Sequence, residues 1–189
     1  MTSAEYFDEL YAVDADPWGL STSEYEHRKR ALLLAALPRA RYRRAFEPGC
    51  AIGVTTAALA DRCDELVAMD GSAGAVEQAR ARTAGRDVVV RHGRILADWP
   101  SGSFDLVVLS ELLYYLDEAA RRDVAHHLET SLTPSGDVVA VHWRHPFSAA
   151  PTTGELVHAE LRERLPAAGF VLMLHHREPD FLMEAYRLR

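Results

Sequence analysis

The sequence predicts an α/β fold: a doubly wound, mostly parallel sheet of seven strands, with a helical cap in front and an antiparallel hairpin at the end. Two observations carry this. From residue 45 onward, short apolar runs alternate with helical stretches of about a dozen residues, the pattern of βαβ units whose sheet is covered on both faces. The last two apolar runs are instead joined by a tight turn, too short for a crossover, so they must lie antiparallel.

The elements follow in order. Residues 23–37 read as a helix, with Ser21, Thr22 or Ser23 as candidate caps and Pro38 as its stop. A short strand at 45–47 runs into Pro48-Gly49, and 54–62 is helical. Strand 65–70 ends in an acid, and helix 73–84 follows. Residues 87–92 hold three consecutive valines and read as a strand, and 104–110 is the most apolar strand of all. Residues 117–132 form a helix stopped by Pro134 and Gly136; 137–143 is a strand, and a proline-containing loop leads to helix 155–168. Strands 170–176 and 181–188 close the chain around Glu178-Pro179-Asp180. Right-handed crossovers make the sheet doubly wound. The expectation is one domain over 1–189, with 1–40 as cap or lid and 41–189 as core.

Composition narrows the function classes. The 189 residues, 48% hydrophobic and 26% charged, suit one soluble core. A formal net charge of −7 with intermixed signs leaves no basic stripe to track phosphates, so no nucleic-acid partner is expected. The arginines Arg39, Arg41, Arg43 and Arg44 read as a solvated turn before a strand. Cys50 and Cys63 cannot build a disulfide framework. The first ten residues carry three acids and no apolar run, and no segment is long enough to span a bilayer, so a cytoplasmic protein without a membrane partner is expected. Lys29 is the single lysine, in none of the contexts required by phosphate-loop nucleotidases, pyridoxal enzymes or Tyr-x-x-x-Lys dehydrogenases.

A parallel sheet that ends in a hairpin resembles the Rossmann-like class I methyltransferase fold, in element order from Ala45 to Leu188. Ligands of such sheets lie beyond the carboxyl ends of the strands. The first end reads Glu47-Pro48-Gly49-Cys50-Ala51-Ile52-Gly53, where Gly49 and Gly53 allow a tight turn with backbone amides close to a ligand. The resemblance implies glycine where Ala51 stands; alanine is acceptable there if its φ is negative. Asp70 lies where the acid that binds ribose hydroxyls is found, or else serves as a helix N-terminal acid before Gly71-Ser72. The resemblance places Glu47 near the cationic end of an amino acid moiety. An acid there opposes a pyrophosphate and suits an ammonium or sulfonium, which favours S-adenosylmethionine over a dinucleotide. Loop 93–99 would face adenine, with Asp98 as its acid.

The flanks sharpen the resemblance. Asp16-Pro17-Trp18, Ser23-Glu24-Tyr25-Glu26 and Leu34-Ala35-Ala36-Leu37-Pro38 precede the glycine loop. Arg62-Cys63-Asp64, Ser110-Glu111-Leu112-Leu113-Tyr114-Tyr115-Leu116 and His142-Trp143-Arg144-His145-Pro146 follow it. The chain is similar to the NodS-like methyltransferases. That resemblance implies N-methylation of a small amine, such as an amino sugar or chitooligosaccharide-like acceptor, with S-adenosylhomocysteine as product. The alternatives are a small-molecule O-methyltransferase, an NAD-binding oxidoreductase, which the terminal hairpin argues against, and a non-catalytic relative of the same fold.

Methyl transfer to an amine needs a neutral nucleophile, hence a group that takes a proton. Glu111, after the fourth strand, is the first candidate and His142 the second, with His145 on the same rim. Ser110 and Glu111 flank the cofactor, as do Gly71, Cys50 and Ala51. Tyr114 and Tyr115 stand over the cleft, with Tyr115 and Arg144 as acceptor-binding candidates. The family resemblance puts Trp18 and Tyr25 in a lid, where an aromatic face attracts a sulfonium. Arg28 or Lys29 is a candidate partner of the cofactor carboxylate, with a solvated helix face as the alternative. No metal site is expected: His126-His127 and His175-His176 diverge as adjacent residues do, and His142-x-x-His145 lacks a third ligand.

Overall fold

The computed structural model describes residues 2–189; Met1, the first residue of the acidic N-terminal stretch, lies outside the described residues. The chain runs α1 (Ala4–Val13), α2 (Glu24–Ala36), β1 (Tyr42–Pro48), α3 (Val54–Ala60), β2 (Cys63–Asp70), α4 (Ala73–Arg82), β3 (Val88–His92) and β4 (Phe104–Ser110). A short 3-10 turn at Leu113–Tyr115 leads to α5 (Glu118–Ser131), β5 (Leu132–Trp143), α6 (Gly154–Ala167), β6 (Phe170–Arg177) and β7 (Phe181–Leu188).

The strands form one seven-stranded sheet in the order β3-β2-β1-β4-β5-β7-β6. The first five strands pair in parallel, and β7 pairs antiparallel with both β5 and β6, as the short terminal turn requires. Strand β4 is buried along all but its last residue. Its alternate side chains feed two cores: Val107 and Leu109 pack with Phe46, Leu128 and Leu165 on one face. Leu106 and Val108 pack with Leu33 of α2, Leu59 and Phe181 on the other. The order reverses direction between β1 and β4, and doubly wound sheets open their ligand crevice at that point.

The boundaries differ from the sequence reading in instructive places. Helix α1, not singled out from sequence, has no fully buried residue; its apolar side, with Phe7 against the core and Tyr11 at the cleft, stays partly open. It is capped by Ser3, whose hydroxyl accepts from the Tyr6 amide at 3.4 Å. Strand β1 begins at Tyr42, three positions before the predicted 45: Tyr42 pairs with Cys63 of β2, so Arg43 and Arg44 lie in the strand and not in a turn, though Arg41 and Arg43 are exposed as expected. Arg39 pairs with buried Asp137 at 3.3 Å, Arg41 with Asp64 at 2.5 Å, and Arg44 with Glu65 at 3.0 Å. Strand β5 starts at Leu132, directly after α5, and its register against β4 shifts between Phe104 and Leu106, where Pro134, Ser135 and Gly136 interrupt the ladder. Cys50 and Cys63 are free and buried. Among the described residues, no helix is long and apolar enough to cross a membrane.

The start of α6 presses directly on the end of β5. A Cβ added at Gly154 would lie 2.2 Å from the Trp143 carbonyl oxygen. Gly154→Ala therefore forces backbone apart and should cost about 1–3 kcal/mol. Thermal unfolding should show a melting temperature lower by roughly 2–4 °C for each kcal/mol.

Candidate active site

A cleft of about 930 Å³ opens at the carboxyl ends of β1, β2 and β4, near the upper limit for small-molecule pockets. Its floor is the loop after β1. Gly49 has φ +70° and donates its amide to the Met69 carbonyl at 2.7 Å, which turns the chain back over β2. Ala51, which would be unstrained at negative φ, sits instead at +49°. An L-residue with a Cβ pays about 1–2 kcal/mol for that conformation. Asp70 holds it there: one carboxylate oxygen accepts from the Ala51 amide at 2.8 Å and the other from Ser72 at 2.9 Å. Asp70 thus faces the cleft and also clamps the β1 loop to the start of α4. Burial pushes its carboxyl up, while these amide bonds act in the opposite direction.

Gly53 does not reach the cleft, contrary to the sequence reading. Its φ is +76°, and an added Cβ would lie 2.8 Å from Ala79 Cα, so it is glycine to let α3 approach α4. Glu47, Cys50, Gly71 and Ser110 line the cleft. Glu47 is only 1% exposed; its Oε2 accepts from the Thr56 hydroxyl at 2.6 Å, and burial pushes its carboxyl up to about 8. Burial likewise holds the Cys50 thiol well above its ordinary range.

At the end of β4 stands Glu111, in a left-handed conformation at φ +53°. Its Oε1 accepts from Lys29 Nζ at 2.5 Å, and its Oε2 from the Tyr114 hydroxyl at 2.6 Å and the Trp143 amide at 2.7 Å. Lys29 also donates to Glu26 Oε1 at 2.8 Å and lies 4.9 Å from the Tyr25 ring centre. Lys29 is 5% exposed, so it is neither a solvated side chain nor a free partner for a carboxylate. Arg28 is exposed and forms a bidentate pair with Glu178 at 2.5 and 2.7 Å.

Four assignments from sequence, His142, Arg144, His145 and Asp98, fail on geometry. Val141 and Trp143 line the cleft, so His142 between them points to the opposite side of β5. It is fully buried, and both ring nitrogens are engaged. Nε2 accepts from the Leu113 amide at 3.2 Å, which leaves the proton on Nδ1 to face His158 Nε2 at 3.2 Å. His158 Nδ1 in turn meets Glu184 at 2.8 Å. Burial and the neighbouring His158 keep His142 well below the usual histidine range. It braces the turn carrying Tyr114 and Tyr115, and takes no proton from the cleft. Arg144 also points elsewhere: it pairs with Glu155 at 2.6 Å and donates to the carbonyls of Glu178 and Pro179, pinning the β6–β7 turn to α6. His145 meets Asp180 at 3.0 Å outside the cleft. Asp98 closes its own loop by accepting from the Arg94 amide at 2.8 Å; Gly93, Ile95 and Leu96 of that loop face the cleft instead.

The cap supplies an aromatic wall. Trp18, 38% exposed, packs edge-on to Tyr11 at 5.6 Å, and Tyr115 meets Phe7 edge-on at 5.0 Å. Tyr25 stands edge-on to Trp143 at 5.7 Å. Glu26, Arg30, Trp143 and Phe147 also line the cleft and were not singled out from sequence. A signal existed on α2: Glu26, Lys29, Arg30 and Leu33 recur at the spacing of one helical face, and that face is the one turned inward. Among the described residues, no group of three or more His, Cys, Asp or Glu side chains is placed to hold a metal ion.

This sheet order, with its cleft at the β1/β4 switch and its terminal hairpin, defines the class I methyltransferase fold. The chain belongs to the Nodulation protein S (NodS) family, whose family model matches residues 6–162. Nodulation protein S of Sinorhizobium fredii is 37% identical over 131 residues, 66% of this chain; the chain spans 59% of that relative's length. A crystal structure from Pseudomonas syringae, provisionally described as a methyltransferase, is 46% identical with a TM-score of 0.77, covering 87% of this chain and 99% of that one. The N-methyltransferase NodS of Bradyrhizobium japonicum WM9 in complex with S-adenosyl-L-homocysteine superposes with a TM-score of 0.83 at 24% identity, over 100% of this chain and 99% of that one.

The strain at Ala51 makes a direct prediction. Ala51→Gly removes the left-handed penalty at the expense of a more flexible unfolded chain, for a net gain of up to about 1 kcal/mol. A higher melting temperature for the variant checks it; a lower one would mean that the Ala51 methyl packs favourably despite its φ.

Proposed function

We propose that this chain transfers the methyl group of S-adenosylmethionine to the nitrogen of a small amine, with an amino sugar of the deacetylated chitooligosaccharide type as acceptor and S-adenosylhomocysteine as product. The observation that carries this is the charge of the cleft. Glu26, Asp70 and Glu111 face it, with the buried Glu47 carboxyl behind them; its one lysine is already shared between two of those acids, and Arg30 and Arg94 stand on its walls. Such a lining opposes a pyrophosphate and suits a sulfonium, an ammonium and an amine acceptor. The donor brings an already activated methyl group, so much of the protein's task is placement.

The residues fit that donor. Asp70 presents carboxylate oxygens to ribose hydroxyls at the end of β2, and the loop 93–97 offers apolar side chains to adenine. Glu47 lies where the amino acid end would rest, and Arg30, half-buried on the cleft wall, is the cation placed to meet the carboxylate. The rings of Tyr11, Trp18 and Tyr25 add a face for positive charge, about 0.5–2 kcal/mol when desolvated. The acceptor end then lies between α2, the 3-10 turn and Trp143-Phe147. We place the protein in the cytoplasm, with small molecules and neither nucleic acid nor membrane as its partners.

Calorimetric titration with S-adenosylhomocysteine tests the reading. One-to-one binding at micromolar concentration or tighter is expected, and Asp70→Ala should weaken it more than about tenfold, equivalent to ~1.4 kcal/mol. Wild-type affinity in that variant would remove the ribose assignment. Turnover on amines against the corresponding alcohols separates N- from O-methylation.

Glu47 gives a second test, with a definite sign. Its carboxyl is raised from an ordinary 4.5 to about 8, so folding takes up a proton between those values and stability falls as pH rises through that window. Glu47→Gln escapes this loss. The variant should be more stable than the parent at pH 8 by on the order of a few kcal/mol, with little difference near pH 4.5. It should also bind S-adenosylhomocysteine more weakly. Chemical denaturation across that pH range is the measurement, and an advantage that shrinks as pH rises would contradict the assignment.

A further inference from the structure

Two carboxylates and one ammonium, Glu26, Glu111 and Lys29, form a hydrogen-bonded set with one more negative than positive charge at the acceptor end of the cleft, and Arg30 acts on it from a distance without a hydrogen bond. Half-buried charge of that kind calls for a partner. The two carboxylates are not equivalent. Glu111 gives both oxygens to the protein, accepting from Lys29, Tyr114 and Trp143. Glu26 gives only Oε1, to Lys29, and Oε2 has no hydrogen bond among the described residues although the side chain lines the cleft. Beside it, the Tyr25 hydroxyl is buried with no partner at all, a state costing about 1–3 kcal/mol that an incoming polar group would relieve.

Resting on the amine-methylation reading above, we propose that Glu26, in place of Glu111 or His142, is the catalytic carboxylate that meets the acceptor's ammonium group and takes its proton. Glu26 Oε2 removes one proton from R–NH3+, leaving R–NH2 with a free lone pair and Glu26 as the neutral acid. That lone pair forms the new N–CH3 bond as the methyl–sulfur bond breaks, and the bonding pair remains on sulfur. The product leaves as R–NH2–CH3+, and Glu26 returns its proton to water. Tyr25 Oη is placed to bind an oxygen of the same acceptor, and Lys29 and Glu111 fix the geometry without touching the reacting nitrogen.

The charges facing Glu26 are consistent with the role. Lys29 and Arg30 on its own helix favour the ionised form. Glu111, from the end of β4, opposes it, and Tyr25 and Tyr114, the latter bound to Glu111, lie close enough to feel the Glu26 charge. Burial is the largest influence and raises the carboxyl above its ordinary value, toward the range a proton acceptor needs.

Glu26→Gln keeps a hydrogen-bond acceptor for Lys29 and removes the base. With a deacetylated chitooligosaccharide or a primary alkylamine, the variant should lose about a hundredfold or more in kcat/KM below the amine's own pKa. The deficit should shrink toward nothing above that pKa, where the amine is already neutral. Amine affinity for the S-adenosylhomocysteine-loaded protein should fall more than about tenfold by calorimetry, an electrostatic loss of ~1.4 kcal/mol. Affinity for S-adenosylhomocysteine itself should hold, which also certifies the fold. Glu26→Asp should recover part of the lost rate. No loss, or a deficit of the same size at every pH, overturns the inference while leaving amine methylation intact. A wild-type protein that binds S-adenosylhomocysteine but methylates only alcohols overturns the amine reading, and this inference with it.

Discussion

The ammonium of Lys29 joins the helical cap to the edge of the sheet that borders the cleft. It is nearly buried, and burial alone would favour the neutral amine; the carboxylates of Glu111 and Glu26 outweigh this and hold it charged. Removing one member of such a set leaves an uncompensated buried charge, at a typical cost of about 3–5 kcal/mol. In a chain that otherwise uses arginine for its basic residues, the single lysine stands where a compact charge must reach two acids and an aromatic ring together. A planar guanidinium suits one carboxylate side-on and would not fill this place in the same way. Glu111 tolerates its left-handed backbone because Lys29, Tyr114 and Trp143 hold its side chain from three elements.

Much of the fold was legible because its signals are periodic and local. Apolar runs alternating with helices gave the parallel sheet, and a tight Glu178-Pro179-Asp180 turn gave the antiparallel end. What escaped were features set by contacts distant in sequence. Helix α1 has no buried stripe, and β1 extends back to Tyr42 because Asp105, from β4, accepts the amides of Arg43 and Arg44 at 3.0 and 2.9 Å. The site divides in the same way. The loop around Gly49, together with Asp70 and Glu111, follows from strand ends, which sequence locates well. His142 and Arg144 were misassigned because position along a rim says nothing about which face a side chain takes. The alternation of β5 puts Val141 and Trp143 on the cleft side, and His142 therefore behind it.

The cleft also concentrates local cost. Ala51 and Glu111 occupy positive φ, Glu47 is a carboxyl buried against a single hydroxyl, and Tyr25 keeps a buried hydroxyl unpartnered. Each carries a local cost, and all of them line the same space. On the reverse side of β5, the polar groups are satisfied: His142, His158 and Glu184 form a continuous buried chain, and Glu184 also accepts from Tyr186 at 2.6 Å. The contrast separates bracing from function. Buried polar groups that close on one another hold the 3-10 turn in place, whereas those left open at the cleft are the ones a bound molecule can complete.

The open groups fall into two sets with different origins in the chain. One set comes from the loops after β1, β2 and β3, whose geometry is tied together through Gly49, Gly53 and the Asp70 clamp, so it can change little without unsettling α3 and α4. The other comes from α2, the turn after β4 and the loop after β5, which are joined largely through the side chains of Lys29 and Glu111. In the proposed function the first set receives the methyl donor and the second the acceptor. On that proposal a substitution at Glu26, Tyr25 or Phe147 alters what the cleft receives without passing through the loop after β1, and acceptor choice resides on the cap face that carries Glu26 and Lys29.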